Sequence, residues 1–397
     1  MDRYKIYERG FGMIRKIILF VGDIETLDYF SRQLGKTFTE KGYKIFYFDF
    51  AKEEKSLKLM RKFIDVGETV MITFNFIGIS AEEILYSGEG DSVFDMYEVP
   101  CYNIVVDHPF YYHKHYPLVP KKYTQISIDR LHHAFMERFY PEIHLGGFLP
   151  LAGTGICPLD TPREMDVVFT GNYTPPASFN KPITRINDEY TAFYHSILDE
   201  LILHPSRDIA EVFLEFLQKE MPDISDKDAA ECMSNMIFLD LYIRFHFRGE
   251  IIKTLVDNGV QVDVFGEGWT ELPVNHPENL IIHGGTNSVG CLKNIGNAKI
   301  SLNIMPWFKD GAHDRIFNSM LNGGVCLSDD SKYLREILSN GKHIIFYSLE
   351  KIEALPGMVK RLLDDPELLS AIREEGFALA NNAHTWAHRA DYLEKLF

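Results

Sequence analysis

The feature that most constrains the fold is the alternation of short apolar runs with amphipathic segments. In the first 145 residues, helical patterns such as Ile24–Thr39 and Asp129–Phe139 separate the apolar runs. Buried strands alternating with helices are typical of a parallel sheet covered on both faces. The predicted strands are Lys16–Val21, Tyr43–Phe50, Thr69–Phe74, Tyr102–Val106 and Thr124–Ile128.

The second half repeats this alternation after a long helical interval. From about residue 180 to 258 no convincing strand occurs, which is long for one crossover and predicts a helical insertion. Helices are expected near 287–297, 314–322, 331–338, 350–364 and 366–382. The predicted strands are Met165–Thr170, Val262–Phe265, Leu280–His283, Lys299–Ile304, Gly324–Leu327 and His343–Tyr347.

These patterns predict two Rossmann-like, doubly wound α/β domains that face a central cleft. The chain has 397 residues, enough for two domains of ordinary size. The Gly- and Pro-rich segment Gly146–Glu164 is interpreted as the connection between them. The expected boundaries are 1–147 for the first domain, 148–164 for the linker, 165–382 for the second domain with its insertion at 180–258, and 383–397 for a closing helix.

Charge and composition exclude several classes of function. The net charge of −16 argues against a nucleic-acid partner and against an electrostatic membrane anchor. No apolar run reaches the roughly 20 residues that span a bilayer. The first 16 residues carry no signal-peptide cleavage pattern. Five widely spaced cysteines without a CxxC pair suggest reduced thiols, so a cytoplasmic protein is expected.

Candidate ligand residues concentrate in Lys299–Asp329. The pattern predicts a strand, a polar loop, a helix from Arg315 to Asn322 with Asp314 as its cap, a turn at Gly323-Gly324 and a second strand. Ligands of such folds bind at the carboxyl ends of the strands. Because a helix N-terminus beside a cation attracts anions, Arg315 predicts a phosphate site here.

This segment resembles the donor-binding signature of the CgeB-like (spore-maturation-type) glycosyltransferases. The matching residues are Gly311, Arg315-Ile316-Phe317, Met320-Leu321, Gly323-Gly324-Val325, Asp329 and Tyr333-Leu334. Further ordered matches cover about 165–397 and include Val168–Asn172, Val264-Phe265-Gly266, Gly268-Trp269, His384-Thr385-Trp386 and Arg389.

The resemblance implies a GT-B fold and a nucleotide diphosphate sugar as co-substrate, with no tightly bound cofactor. UDP is the expected nucleotide, and the acceptor is expected to be a protein, a glycan or a small molecule. Arg315 would then neutralise the diphosphate, and His283-Gly284 would lie near the base. The predicted donor-binding residues are Gly171, Asn172, Tyr173, Gly266, Trp269, His283, Gly284, His313, Asp314, Arg315 and Asn318.

One departure concerns the stereochemistry of the reaction. Retaining relatives in the wider superfamily often carry two Glu residues eight positions apart across this loop and helix. Here those positions hold Asp310 and Asn318. An amide can still bind a ribose hydroxyl, but without charge. Retaining and inverting chemistry therefore both remain open at this point.

Asp107 and His108, after the fourth predicted strand, are the candidate catalytic residues. In an inverting reaction one of them would accept the proton of the acceptor hydroxyl. The histidines at 113, 115, 132 and 133 lack further ligands at metal-binding spacing, so no metal site is predicted. Tyr242–Arg248 is interpreted as a helix face with solvated arginines, with a phosphate contact from Arg248 as the alternative. A nucleotide-sugar epimerase and a non-catalytic binding module are the alternative functions.

Overall fold

The computed structural model describes residues 13–87 and 90–397, and its first half is built around one parallel sheet. The strands run in the order β2-β1-β3-β4-β5-β6, and all neighbours are parallel. They are β1 (Lys16–Val21), β2 (Lys44–Asp49), β3 (Thr69–Phe74), β4 (Cys101–Val105), β5 (Tyr123–Ser127) and β6 (Leu145–Phe148). The helices are α1 (Glu25–Glu40), α2 (Glu53–Phe63), α3 (Val93–Met96) and α4 (Arg130–Phe139).

A second parallel sheet occupies the second half, in the order β12-β11-β10-β7-β8-β9. Its strands are β7 (Met165–Thr170), β8 (Val262–Phe265), β9 (Leu280–Ile282), β10 (Ala298–Asn303), β11 (Val325–Asp329) and β12 (Ile345–Tyr347). Because β7 lies between β8 and β10, the strand order reverses there, and such a switch point is where doubly wound folds bind ligands.

Helices flank the second sheet and fill the long interval that the sequence predicts as helical. They are α5 (Asn180–Thr184), α6 (Asp188–Leu203), α7 (Ile209–Glu220), α8 (Asp226–Ser234), α9 (Ile237–Asp257), α10 (Ser288–Gly296), α11 (Asp314–Leu321), α12 (Lys332–Ile337), α13 (Leu355–Leu363), α14 (Pro366–Ala383) and α15 (Trp386–Leu393). The predicted helical insertion is confirmed, with α9 as the crossover that leads into β8.

Burial on both faces explains why these segments form strands. Every residue of β3 is buried, as expected for a central strand covered by helices on each side. Leu27, Phe30, Leu34 and Phe38 recur at helical spacing on α1 and are buried against the sheet. The two-domain α/β architecture predicted from the sequence is therefore confirmed.

The last helix returns to the N-terminal sheet. Trp386 of α15 packs against Phe30 of α1 with ring centres 5.4 Å apart, and the hydroxyl of Tyr392 donates to the carbonyl of Gly146 at 2.7 Å. Lys41 at the end of α1 pairs with Asp391 at 2.8 Å. The chain thus passes between the sheets twice.

Local predictions differ from the structure in two places. The segment predicted as linker contains the end of β6, which pairs with β5 at the sheet edge. The cap of α11 is His313, whose Nδ1 accepts from the backbone N–H of Arg315, whereas Asp314 is the first helical residue. An imidazole nitrogen can serve as an N-cap acceptor in the same way as a carboxylate oxygen.

Among the described residues no helix is long and apolar enough to cross a membrane. Residues 1–12, which contain most of the N-terminal segment examined for a signal peptide, lie outside the described part of the chain.

Candidate functional site

An interdomain cavity of about 540 Å³ lies between the carboxyl ends of the two sheets. Its N-terminal face consists of Glu25, Thr26, Leu27, Tyr29, Phe30, Val106, Asp107 and Leu151. Its C-terminal face consists of Thr170, Gly171, Asn172, Arg244, Phe265, Gly266, Glu267, Gly285, Thr286, Ser288, Cys291, Leu292, Ile295, Trp307, Phe308, His313, Asp314, Arg315 and Asn318.

Arg315 lies at the switch point of the C-terminal sheet. Its Nε donates to Oγ1 of Thr170 at the end of β7 at 3.3 Å, and its NH1 donates to Oδ1 of Asn303 at the end of β10 at 2.7 Å. Burial lowers the pKa of Arg315 below its ordinary value. Both partners are neutral, and no carboxylate of the described residues lies within ion-pair distance of the guanidinium. Arg315 therefore has no direct ion pair among these residues, although the charge of Asp314 beside it partly offsets the effect of burial on its pKa.

Asp314 is held by its neighbours on α11. Its Oδ1 lies 2.9 Å from Nδ1 of His313, and its Oδ2 accepts from Nδ2 of Asn318 at 2.8 Å. Burial works against the charged carboxylate, but His313 and Arg315 more than offset it and hold the pKa of Asp314 below its ordinary value. The Oδ1 of Asn318 also accepts from the backbone N–H of Thr154 at 2.8 Å, so both the oxygen and the nitrogen of its amide have partners within the protein.

The loop after β7 is shaped by a close backbone approach. Gly266 has φ of 151°, and a Cβ there would lie 2.3 Å from the carbonyl oxygen of Gly171. The indole N–H of Trp269 donates to that same oxygen at 2.9 Å. Oδ1 of Asn172 accepts from the backbone N–H of Glu267 at 2.9 Å. The glycines thus bring the two strand ends together beside the cavity.

Tyr173 and Trp269 lie behind this loop and do not line the cavity. Both are buried, and their rings stack with centres 5.3 Å apart and planes 22° apart. The structure therefore places these two predicted donor residues as supports of the Gly171–Asn172 loop.

His283 and Gly284 do not line the cavity but contact Phe265 and Gly266, which do. The ring of His283 stacks on Phe265 at 4.2 Å with planes 4° apart, and its Nε2 lies 2.7 Å from Asp263. Gly284 accepts through its carbonyl oxygen from the backbone N–H of Gly266 at 2.8 Å. Phe265 and Gly285 line the cavity, so this part of its wall offers an aromatic ring and glycine backbone.

Two arginines of α9 add to the positive charge. Arg244 lines the cavity, with its guanidinium 4.1 Å from the ring centre of Trp307. Arg248 is buried and donates through NH1 to the carbonyl of Asn172 at 2.8 Å, while its Nε has no partner among the described residues. Burial, with the charges of Arg315 and Arg244, holds the pKa of Arg248 well below its ordinary value.

This arrangement corrects the interpretation of Tyr242–Arg248 as a solvated face. The spacing of four residues between Arg244 and Arg248, which puts both on one side of a helix, is the signal that could have indicated a shared environment.

On the N-terminal face, Asp107 is the predicted catalytic residue that reaches the cavity. Its Oδ2 accepts from Nδ2 of Asn75 at 3.0 Å, and its Oδ1 lies 3.7 Å from NH2 of Arg244. Asn75 also accepts from the backbone N–H of Val106 at 2.8 Å, which fixes the loop after β4. Asn75 has φ of 47°, a left-handed conformation that Asn tolerates better than most residues.

His108, the other predicted catalytic residue, is not brought into the cavity. It is buried beside Phe110 and His132, and its Nδ1 accepts from the backbone N–H of Phe110 at 3.3 Å. Burial, together with the charge of His132, holds the pKa of His108 well below its ordinary value. A neutral, enclosed imidazole of this kind packs and caps the following turn.

Asp310 is one of the two positions at which retaining relatives often carry Glu. It lies at the interface between the sheets. Its backbone N–H donates to Oδ2 of Asp129 at 2.9 Å, and its carboxylate lies 3.4 Å from Arg130. Burial raises the pKa of Asp129 to about 6. Asp310 does not line the cavity and serves instead to join the two halves.

The mouth of the cavity is crossed by a direct contact between the two halves. The carboxylate of Glu25, at the start of α1, accepts from the backbone N–H and the hydroxyl of Ser288, at the start of α10, at 2.9 and 2.8 Å. Within residues 13–87 and 90–397, His, Cys, Asp and Glu side chains form no cluster of three that could hold a metal.

Comparisons with known proteins identify the fold. Residues 248–395 match a family model described as glycosyl transferase-like. The T4 phage BGT in complex with its UDP-glucose substrate has a TM-score of 0.54 at 14% identity, over 96% of this chain and 98% of that chain. The DNA-modifying enzyme β-glucosyltransferase has a TM-score of 0.53 at 13% identity, with the same coverage. The chain has the GT-B fold.

A more distant structural match extends beyond this chain. A TarM mutant of S. aureus, in complex with Fondaparinux, alpha-GlcNAc-glycerol and UDP, has a TM-score of 0.51 at 10% identity. The match covers 86% of this chain and 57% of that chain, so the GT-B fold here spans a little over half the length of TarM. No curated protein sequence matches the chain.

Proposed function

We propose that this protein is a CgeB-like glycosyltransferase that moves a sugar from a nucleoside diphosphate sugar, with UDP favoured, to a hydroxyl acceptor. The observation that carries the proposal is the unpaired charge of Arg315 in the wall of the interdomain cavity. A buried guanidinium with only neutral partners is costly unless an anion joins it. A diphosphate provides that anion.

The diphosphate would bind between Arg315 and the N-terminus of α11. As the bond between the sugar and the diphosphate breaks, negative charge grows on the leaving oxygen. Donors already fixed in place stabilise that charge without reorganising during the reaction. Arg315 is such a donor, because Thr170 and Asn303 fix its guanidinium.

The nucleobase would bind at the end formed by Phe265 and the backbone around Gly284 and Gly285. An aromatic face suits a planar base, and free backbone groups can read its edge. UDP is preferred because the T4 phage BGT and TarM complexes contain UDP-glucose and UDP respectively.

The acceptor, a protein, a glycan or a small molecule, would approach along the N-terminal face. Asp107 would take the proton of its hydroxyl while the oxygen bonds to the anomeric carbon and UDP leaves. This assigns inversion of configuration, because the base acts from the side opposite the leaving group. The contact between Glu25 and Ser288 would limit the access of water, which would otherwise hydrolyse the donor.

Ligand-dependent thermal unfolding tests the donor assignment. The protein is heated with UDP, GDP or dTDP and with their glucose conjugates, and the melting temperature is recorded. A rise with UDP and UDP-sugars that is lost in Arg315→Met supports the proposal. The matched control is Arg32→Met, an exposed arginine that pairs with Asp28 on α1. If no nucleotide raises the melting temperature of the wild-type protein, the donor site is misassigned.

A further inference from the structure

One polar network joins the two halves beside the interdomain cavity. Arg244 of α9 lies 3.2 Å from Oδ2 of Asp240 on the same helix and 3.7 Å from Oδ1 of Asp107 on the other half. The hydroxyl of Tyr111, also from the N-terminal half, donates to Oδ2 of Asp240. We call these four residues the bridging network.

The bridging network is enclosed, so its charges interact strongly. Asp240 is 3% exposed and the side chain of Arg244 is 15% exposed. Burial alone would lower the pKa of Arg244, but Tyr111, Asp240 and Asp107 together raise it above its ordinary value. The ring centre of Trp307 lies 4.1 Å from the guanidinium of Arg244 and covers one of its faces. The Nε of Arg244 has no hydrogen-bond partner among the described residues. Arg244 thus has a fixed place between the carboxylates of two domains.

Asp107 receives its remaining contacts from its own domain. Asn75 donates to Oδ2 at 3.0 Å, and Tyr112 approaches the same oxygen at 3.4 Å. Oδ1 is therefore the oxygen that faces the other half, and Arg244 is the cation beside it. The position of this oxygen depends on a residue that the N-terminal half does not contain.

We propose that Arg244 is a positioning residue that fixes Asp107 as the base only when the two domains are closed. The inference rests on the proposed glycosyltransferase function. In the step, the acceptor O–H bond breaks, its proton goes to Asp107, the oxygen bonds to the anomeric carbon and UDP departs with the electrons of the broken C–O bond. Arg244 breaks no bond. It keeps the Asp107 carboxylate aimed, so that an open enzyme with bound donor lacks a placed base.

Kinetics of UDP release from UDP-glucose, UDP-galactose and UDP-N-acetylglucosamine, with water as acceptor, test this role. Because a small displacement of a reacting group is costly, Arg244→Met should lower kcat about 10- to 100-fold. The KM for the donor and the UDP dissociation constant, measured by calorimetry, should stay unchanged. Arg244→Lys, which keeps the charge, should restore part of kcat.

A double-mutant cycle decides whether Arg244 acts through Asp107. Asp107→Asn combined with Arg244→Met should be no slower than Asp107→Asn alone, since the second change has no base left to misplace. Tyr111→Phe keeps both charges and removes one contact of the network, so kcat should fall by about tenfold or less with normal UDP binding. Melting temperatures identify any variant that fails to fold.

Three outcomes would overturn the inference. Weakened UDP binding in Arg244→Met would make Arg244 a phosphate ligand, and multiplicative losses in the double variant would make it independent of Asp107. Equal losses in melting temperature and activity, without rescue by lysine, would make it structural. A wild-type protein that binds no UDP would instead overturn the proposed function on which the inference rests.

Discussion

The two faces of the interdomain cavity are organised in different ways. On the C-terminal face, Arg315 is fixed by Thr170 and Asn303, which end neighbouring strands of one sheet. On the N-terminal face, Asp107 is oriented partly by Asn75 of its own domain and partly by Arg244 of the other. The first arrangement is complete within one domain, whereas the second requires both. We therefore expect a donor surface that is formed within one domain and a base whose orientation is completed when the domains close.

The backbones of the two faces show the same contrast. The C-terminal loops turn at glycines such as Gly171 and Gly266, which adopt unusual dihedral angles at little steric cost. The N-terminal loop after β3 places Asn75 and Phe76 at φ of 47° and 64°. Non-glycine residues in this region store strain of about 1 kcal/mol or more each, and surrounding contacts must hold them there.

The largest expected effect follows from Asp107→Asn, which removes the proposed base from the N-terminal face. Loss of a general base typically lowers turnover about 10²- to 10⁴-fold. Because the C-terminal face is preformed, the UDP dissociation constant should not change. Steady-state kinetics and calorimetry on the same preparation measure both values.

Asp23→Asn is the matched control for this prediction, because Asp23 is an exposed acid in the loop after β1 of the same sheet. A variant at Asp107 that retains wild-type turnover would contradict its role as base and favour a retaining reaction.

The next largest effect is expected for Gly266→Ala, which changes the backbone packing of the C-terminal face. The new Cβ would lie 2.3 Å from the carbonyl oxygen of Gly171, so the two loops must separate. We expect a loss of about 2–4 kcal/mol in the free energy of unfolding, together with weaker UDP binding. Urea denaturation and UDP titration measure the two changes.

Gly284→Ala provides the comparison for Gly266→Ala. Its φ of 75° lies in the left-handed region, which alanine tolerates better than the φ of 151° at Gly266, and no atom lies within 4 Å of the added Cβ. Gly284→Ala should lower the free energy of unfolding by only about 1 kcal/mol, which is the cost of the backbone conformation for alanine. Equal losses in both variants would show that the close approach is unimportant.

Arg315→Met should remove one cation from the preformed surface without opening it. Hydrogen bonds to charged groups contribute about 1.5–3 kcal/mol, so the UDP dissociation constant should rise about 10- to 100-fold. The melting temperature should change far less than in Gly266→Ala. A large loss of stability with unchanged UDP affinity would assign Arg315 a structural role.

The smallest effect on UDP binding is expected at Asp329, the last residue of β11. Its Oδ1 accepts from the backbone N–H of Met305 at 2.8 Å, and burial raises its pKa from 3.8 to about 7. The folded state therefore binds more protons than the unfolded state between these values, and stability falls as the pH rises through that window. Asp329→Asn cannot ionise and keeps an oxygen for Met305.

The stability of Asp329→Asn relative to wild type should therefore increase from pH 4 to pH 7, by about 3 kcal/mol, and level off above pH 7. Thermal unfolding across this range measures the difference, and UDP affinity at neutral pH should not change. Asp129→Asn serves as the counterpart from the other half, with a narrower window because its pKa is raised only to about 6. A difference between Asp329→Asn and wild type that is independent of pH would contradict the assigned ionisation.

The sequence predicts the sheets well because burial on both faces leaves a clear local pattern. Thr69–Phe74 and Met165–Thr170 have the predicted bounds. The short edge strand β6 lacks this pattern, since Gly146 and Gly147 interrupt it. The sequence predicts Asp314 as the cap of α11 instead of His313, because aspartate is the more common cap and local propensity does not distinguish neighbouring polar residues.

The candidate site is harder to predict because its side chains come from distant parts of the chain. Asp107 and His108 are adjacent, yet one reaches the cavity and the other packs beside His132. Neighbouring residues of an extended segment point to opposite sides, so the sequence indicates that only one faces the cleft without indicating which. The role of Arg244 depends on Asp107, which is 137 positions away along the chain, and no local pattern connects them.

The two chain crossings between the halves have a mechanical consequence. They run side by side, since the backbone N–H of Gly153 donates to the carbonyl of His384 at 2.9 Å. A single connecting segment would allow one half to rotate about it relative to the other. Two adjacent segments resist that rotation and leave hinge bending as the easiest motion. We therefore expect the halves to open by a hinge motion about one axis, so that each closure restores the same contacts between them.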